Sequence, residues 1–129
     1  MSSPTVQFLS PEWGAALEAA ANASPGFREA ADALSLTIQQ EIEDGDAYAL
    51  TFADGALEVR WGVVDDADVV FAQNRDTAER ICRGDLNAQQ AFVLGKLRVR
   101  GDLARLLPAR DAFVQLERAF EELRDRTAY

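Results

Sequence analysis

Residues 34–63 read LSLTIQQEIEDGDAYALTFADGALEVRWGV. Large apolar side chains recur at every second position. Leu34, Leu36 and Ile38 are separated by Ser35 and Thr37, Tyr48, Leu50 and Phe52 by Ala49 and Thr51, and Leu57, Val59, Trp61 and Val63 follow. A period of two is that of a strand with one buried face. Asp44-Gly45-Asp46 marks one turn, and Asp54-Gly55 signals a tight hairpin, because Asp or Asn followed by Gly suits the positive φ angles such a turn needs. The stretch predicts three strands in an antiparallel meander, with one large apolar face and one small or polar face. The apolar face needs a cover.

The flanking sequence supplies it. Upstream, Ser10-Pro11-Glu12 opens a helix: a capping hydroxyl, a proline with preset φ, and an acid at the positive end of the dipole. That helix runs past Trp13 and Leu17 to about Asn22, and after Ser24-Pro25-Gly26 residues 27–33 read as a short helix or a compact loop. Downstream, Asp65-Asp66 forms an acidic loop, and Val69 and Phe71 continue as a fourth strand. Asp76 with Glu79, and Asn87 with Gln90, have capping-box spacing, placing helices from near Thr77 and Ala88 to Gly84 and Gly95. Residues 96–100 alternate strictly, with Leu97 and Val99 inward and Lys96, Arg98 and Arg100 outward. Gly101-Asp102 ends that strand and caps a final helix whose stripe is Leu106, Phe113, Leu116, Phe120 and Leu123. Pro108 cannot sit inside a regular helix, so a short turn over 103–107 and a long helix from near Pro108 are expected. The class is α+β, a mainly antiparallel sheet with helices on one face.

With 129 residues, 48% of them apolar, the chain is expected to form one domain over residues 1–129, large enough to bury a core without staples. The lone Cys82 has no internal disulfide partner, and with no apolar leader a cytoplasmic location is expected. No apolar run is long enough for a membrane span. Asn22-Ala23-Ser24 matches a glycosylation sequon and is read as coincidence.

The net charge of −9 argues against nucleic acid and anionic lipid surfaces as partners. The charge is uneven. Residues 1–74 hold thirteen acids and two bases (−11), and residues 75–129 hold nine acids and eleven bases (+2). The favoured reading is that acidic elements of one half pack beside basic elements of the other. A sharper one makes Arg75, Arg80, Arg83, Lys96, Arg98 and Arg100 a patch for a ligand carboxylate or phosphate.

Chemistry finds few candidates. The sequence has no His, which removes the commonest general base and zinc ligand, so no metal or cofactor is expected. Cys82 beside Ile81 reads as a small buried hydrophobe without a histidine to activate it. Asp65-Asp66 and Glu121-Glu122 are adjacent, exposed carboxylates and form no acid and base pair. Gly95-Lys96 is not a phosphate loop, since Gln90 stands where Gly is needed and Leu97 where Ser or Thr is needed. A non-enzyme is expected.

Within residues 68–107, the runs Asp-Val-Val-Phe, Thr77-Ala-Glu-Arg-Ile, Gly84-Asp-Leu-Asn-Ala-Gln-Gln-Ala-Phe and Gly95-Lys-Leu-Arg-Val-Arg-Gly-Asp-Leu resemble the core pattern of the sterol carrier protein 2 family. The Phe8-Leu-Ser-Pro-Glu-Trp opening is similar to that of its short bacterial members. The most specific part is Ala91-Phe92 through Gly101-Asp102. Pro108 departs from the pattern, where members commonly continue a regular helix. The resemblance implies a five-stranded sheet backed by helices, with an apolar cavity between them for a fatty acid, fatty acyl thioester or sterol-like lipid.

A sheet face of bulky residues under short helices has a cover able to shift. Phe71, Ile81, Leu86, Phe92, Leu94, Leu97, Phe113, Leu116 and Phe120 are the residues expected around such a cavity; singly each reads as core packing, and only their joint placement favours a site. An empty void of roughly 300 Å³ at about 24 cal/mol per Å³ would cost about 7 kcal/mol, comparable with the stability of a whole domain. Either lipid occupies the space or side chains close it. The expected state is a monomer or homodimer carrying an apolar ligand, without stable membrane insertion. A protein-interaction or regulatory module of the same fold is the alternative, and a carboxylate-dependent enzyme a weaker one.

Overall fold

The Asp54-Gly55 hairpin forms as its sequence predicts. In the computed structural model, which describes residues 5–43 and 45–129, both residues have positive φ, 55° and 73°. The elements in chain order are β1 (Val6–Gln7), α1 (Pro11–Asn22), α2 (Pro25–Ala30), β2 (Leu36–Glu43), β3 (Tyr48–Ala53), β4 (Ala56–Trp61), β5 (Val69–Asn74), α3 (Arg75–Arg83), α4 (Ala88–Val93), β6 (Leu97–Gly101), α5 (Arg110–Leu123) and β7 (Thr127–Ala128), with 3₁₀ turns over Leu103–Ala109 and Arg124–Arg126. The architecture is α+β, as expected. Of the first expected turn, Asp44 lies outside the described residues.

β2, β3 and β4 make the antiparallel meander, and the full sheet has the order β4-β3-β2-β5-β6. β5 lies parallel to β2 and β6 antiparallel to β5. The chain therefore leaves the β4 edge and returns to the far side of β2. It crosses the face away from the helices, held by Gln39, whose side chain donates to Gly62 O at 3.2 Å and accepts from Val64 N at 2.7 Å. These bonds end β4 at Trp61. Val63, expected to continue that strand inward, is instead 83% exposed.

The opposite face carries Leu36, Ile38, Leu50, Phe52, Leu57 and Val69, all buried. α1 packs on β4 and α5, α2 on α5, α3 on β5, β2 and α5, and α4 on β6. Trp13, Leu17 and Phe27 are fully buried beneath them. Ser10 and Ser24 cap α1 and α2 through their hydroxyls, so residues 25–30 form a helix and the loop reading is set aside.

Three termini differ from expectation. α3 begins at Arg75, two residues early, because Asn74, still extended at the end of β5, accepts from Thr77 N at 2.8 Å; Asp76 lies in the first turn. Asp102 makes no side-chain cap, since the chain enters a 3₁₀ turn rather than an α-helix. Pro108 lies inside that turn, and α5 starts at Arg110. The Asn87–Gln90 box is present in both directions, at 2.7 and 3.0 Å.

α1 also protects the sheet edge. An edge strand offers unpaired backbone groups to other chains. Asn22 donates to Leu57 O at 2.9 Å and accepts from Leu57 N at 2.7 Å, and Glu18 accepts from Val59 N at 2.8 Å. Three main-chain groups of β4 are thus satisfied by helix side chains.

Candidate functional site

The sheet register decides which side chains of β5 and β6 face the helices. Phe71 stands opposite Val99, and Gln73 opposite Leu97. Leu97 is buried in a small cluster with Leu86 and Ala91, and Phe71, Ile81, Ala88 and Val99 pack against it. The main cluster holds Leu116, with Phe113 and Phe120 against it. Phe71 and Val99 touch both clusters. From the main cluster the Phe113 ring reaches Phe71, its centroid 6.0 Å from that of Phe52 and 6.5 Å from that of Phe71.

Seven of the nine expected residues thus lie in or against these clusters. Phe92 and Leu94 do not: they are 52% and 62% exposed, with Val93 at 77% between them. The reason is the length of α4. Six residues make less than two turns, so Ala91 alone is buried against β6 while the C-terminal end of the helix projects. Leu103, Leu107 and Val114 are further exposed apolar residues, on the 3₁₀ turn and on α5. The residues missed by sequence reading are Val99, visible in the same alternation as Leu97, and Gln40 and Gln73, which occupy inward positions of β2 and β5 yet are only 6% exposed.

The cations do not converge on one patch. Arg98 and Arg100 leave the sheet on the face away from the helices, and Arg100 pairs with Glu41 of β2 at 2.8 Å. Arg83 pairs with Glu79 and stacks on Tyr129, and Arg75 lies over Phe8. Arg105 pairs with Asp68 at 3.1 Å and also donates to Ser35 O. The Arg100–Glu41 and Arg105–Asp68 contacts join the basic half to the acidic half, as the favoured charge reading expects.

Cys82 lies on the buried face of α3. Burial pushes its thiol above the ordinary value, and the Tyr129 hydroxyl, donating to the sulfur at 3.2 Å, and the Arg124 charge oppose the shift only in part. A thiol held neutral is a poor nucleophile. Among the described residues no three His, Cys, Asp or Glu side chains cluster as a metal site. Two polar surface concavities, about 270 Å³ beside Arg83, Asp85, Arg124 and Tyr129 and about 370 Å³ beside Arg28, Glu29, Asp32 and Asp54, are lined by none of the nine residues.

The model of the SCP-2 sterol transfer family matches residues 16–113, three quarters of the chain and every strand of the main sheet. The chain belongs to this family. Solved structures of the same fold agree. Sterol carrier protein 2 is 23% identical, with TM-score 0.78 over 89% of this chain and 98% of that one. A Thermus thermophilus protein described as a conserved hypothetical and candidate sterol carrier protein is 22% identical, with TM-score 0.77 over 94% and 92%. Palmitated SCP2L2 from Aedes aegypti is 24% identical, with TM-score 0.52 over 64% and 73%. Among curated protein sequences none matches significantly. As a family member the chain has the five-stranded sheet and helical cover expected of it, and among its described residues no helix is long and apolar enough to cross a membrane.

Proposed function

We propose that this protein is a non-catalytic lipid carrier that takes an apolar chain, such as a fatty acid, fatty acyl thioester or sterol-like molecule, between β5–β6 and the covering helices. The observation that carries this is the division of the interior at Phe71 and Val99 into a large cluster and a small one. The small cluster has three buried members, and its lid is a six-residue helix. A helix that short has little stability of its own, so displacing it costs far less than opening the main core. An apolar ligand entering there replaces side-chain contacts with its own and regains about 25 cal/mol per Å² of surface buried.

The proposed lining is Phe71, Ile81, Leu86, Leu97, Phe113, Leu116 and Phe120, with Phe92 and Leu94 at the rim. Residues 1–129 act as one binding unit in the cytoplasm, as a monomer or homodimer. Absence of His from the sequence and the neutral Cys82 thiol support a role without chemistry on the ligand. The exposed Phe92, Val93, Leu94 and Leu107 favour one second reading, a partner-docking module, since exposed apolar groups also mark interaction surfaces.

Native mass spectrometry of delipidated protein titrated with palmitate tests the reading. One bound equivalent, with a raised Tm, is expected. Only the apo mass at excess palmitate, together with capture of a defined partner protein, would replace the carrier by the docking module.

A further inference from the structure

The inward positions of β2 are Leu36, Ile38, Gln40 and Ile42, and those of β5 are Val69, Phe71 and Gln73. Each strand thus sets one amide among apolar side chains. The two amides meet: Gln73 Nε2 donates to Gln40 Oε1 at 2.8 Å, and each residue is only 6% exposed. That bond leaves Gln73 Oε1 buried with no hydrogen-bond partner among the described residues. Trp13 Nε1 and Arg60 Nε share this lack, away from the β5–β6 strip. Trp13 lies in the main core against the rings of Phe8, Tyr48 and Phe120, and Arg60 Nε lies 3.8 Å from the Glu58 carboxylate.

The position of Gln73 gives the orphaned carbonyl a meaning. Along the sheet it stands between Ile42 and Leu97, two residues beyond Phe71, which faces Val99. The amide pair therefore flanks the apolar strip formed by Phe71, Leu97 and Val99 on its β2 side, Gln40 level with Phe71 and Gln73 level with Leu97.

We propose that Gln40 and Gln73 form a head-group subsite that selects a lipid ending in a neutral hydroxyl over one ending in an ionised carboxylate. This deepens the carrier reading and rests on it. A hydroxyl both donates and accepts, so it can give its proton to Gln73 Oε1. If both amides turn over, an NH₂ group takes that place and the same hydroxyl accepts from it. A carboxylate has no proton to give, and a buried anion needs a cation beside it. None is supplied: among the described residues no Arg or Lys hydrogen-bonds either amide, and Arg75, Arg83 and Arg124 are engaged by Phe8, by Glu79 with Tyr129, and by Cys82 O.

The test uses three ligands of equal chain length, 1-dodecanol, dodecanoate and dodecane, titrated at pH 8 into the delipidated full chain and followed by native mass spectrometry. The alcohol should bind at least tenfold more tightly than dodecanoate. In Gln40→Leu with Gln73→Leu the alcohol-to-dodecane ratio should fall by about tenfold while dodecane binding is kept. Gln73→Met, close to Gln in volume, should lower the same ratio and serves where the double variant does not fold. Equal binding of alcohol and dodecanoate, or ratios unchanged in the variants, overturns the subsite and leaves the carrier reading standing. Failure of all three ligands to bind overturns both.

Discussion

Phe113 of α5 sets its ring 6.5 Å from that of Phe71 on β5, at an interplanar angle of 52°. This contact is where the main core reaches the strip under α4. Both residues are half-buried. Phe113→Ala should therefore cost about 2 kcal/mol in urea denaturation, below the 3–5 kcal/mol of a fully buried Phe. A double-mutant cycle with Phe71→Ala should return a coupling of about 0.5–1.5 kcal/mol. Additive losses would mean that the two rings share no interaction that matters.

Asn22 joins α1 to the exposed edge of the sheet through two bonds to Leu57. With each bond contributing about 1 kcal/mol, Asn22→Ala should lower stability by about 2 kcal/mol. The uncovered strand should also associate with other chains, read as rising light scattering at high protein concentration. A soluble variant of unchanged midpoint would refute this edge role.

Gly101 has φ of 110°, and a Cβ there would sit 2.5 Å from Asp68 O. Gly101→Ala combines a left-handed backbone with a clash against main chain that cannot swing away, so a loss of about 3 kcal/mol is expected. The neighbouring Asp102→Ala makes the contrast. Asp102 provides no side-chain cap, and its replacement should change the denaturation midpoint by less than about 0.5 kcal/mol equivalent.

Cys82 makes stability depend on alkaline pH. Its thiol is raised in the folded state, so the native protein holds the proton more tightly than the unfolded chain. The contribution is complete below the ordinary thiol value of about 8.5 and is lost as pH rises through the higher folded value. Tm should be flat from about pH 7 to 8 and fall above that range. Tyr48 and Tyr129, both raised chiefly by burial, should extend the fall above about pH 10. Cys82→Ala should lessen the slope in the lower part of this window. An unaltered slope in that variant would assign the alkaline loss to other groups.

Asn87→Ala removes the reciprocal cap of α4 and should cost about 1 kcal/mol. Because α4 packs chiefly on β6, the effect should be local. Amides of residues 91–94 should exchange faster while those of β2 keep their protection, and bound palmitate should dissociate faster.

Much of the fold was legible in the sequence because strand faces, hairpins and caps are local signals. The alternation around Leu36 and Ile38, the Asp54-Gly55 turn and the Asn87–Gln90 box each needed only neighbouring residues. Asn74 was missed as the cap of α3 because nothing local separates it from Asp76; the extended end of β5 makes the choice. The candidate site was legible in part. Phe71, Leu97 and Phe113 were identifiable as inward, whereas the exposure of Phe92 and Leu94 follows from where α4 stops against β6.

The sequence by itself determined the α+β class, the meander, a strand over 96–100 and the absence of histidine chemistry, since composition and period are properties of the chain alone. The tertiary structure alone decided that β5 pairs with β2 rather than β4, which brings Gln73 onto Gln40. It also decided that Asn22 closes the β4 edge. Pairing between strands thirty residues apart depends on how the sheet and its helices fill space together, and no short-range pattern encodes that outcome.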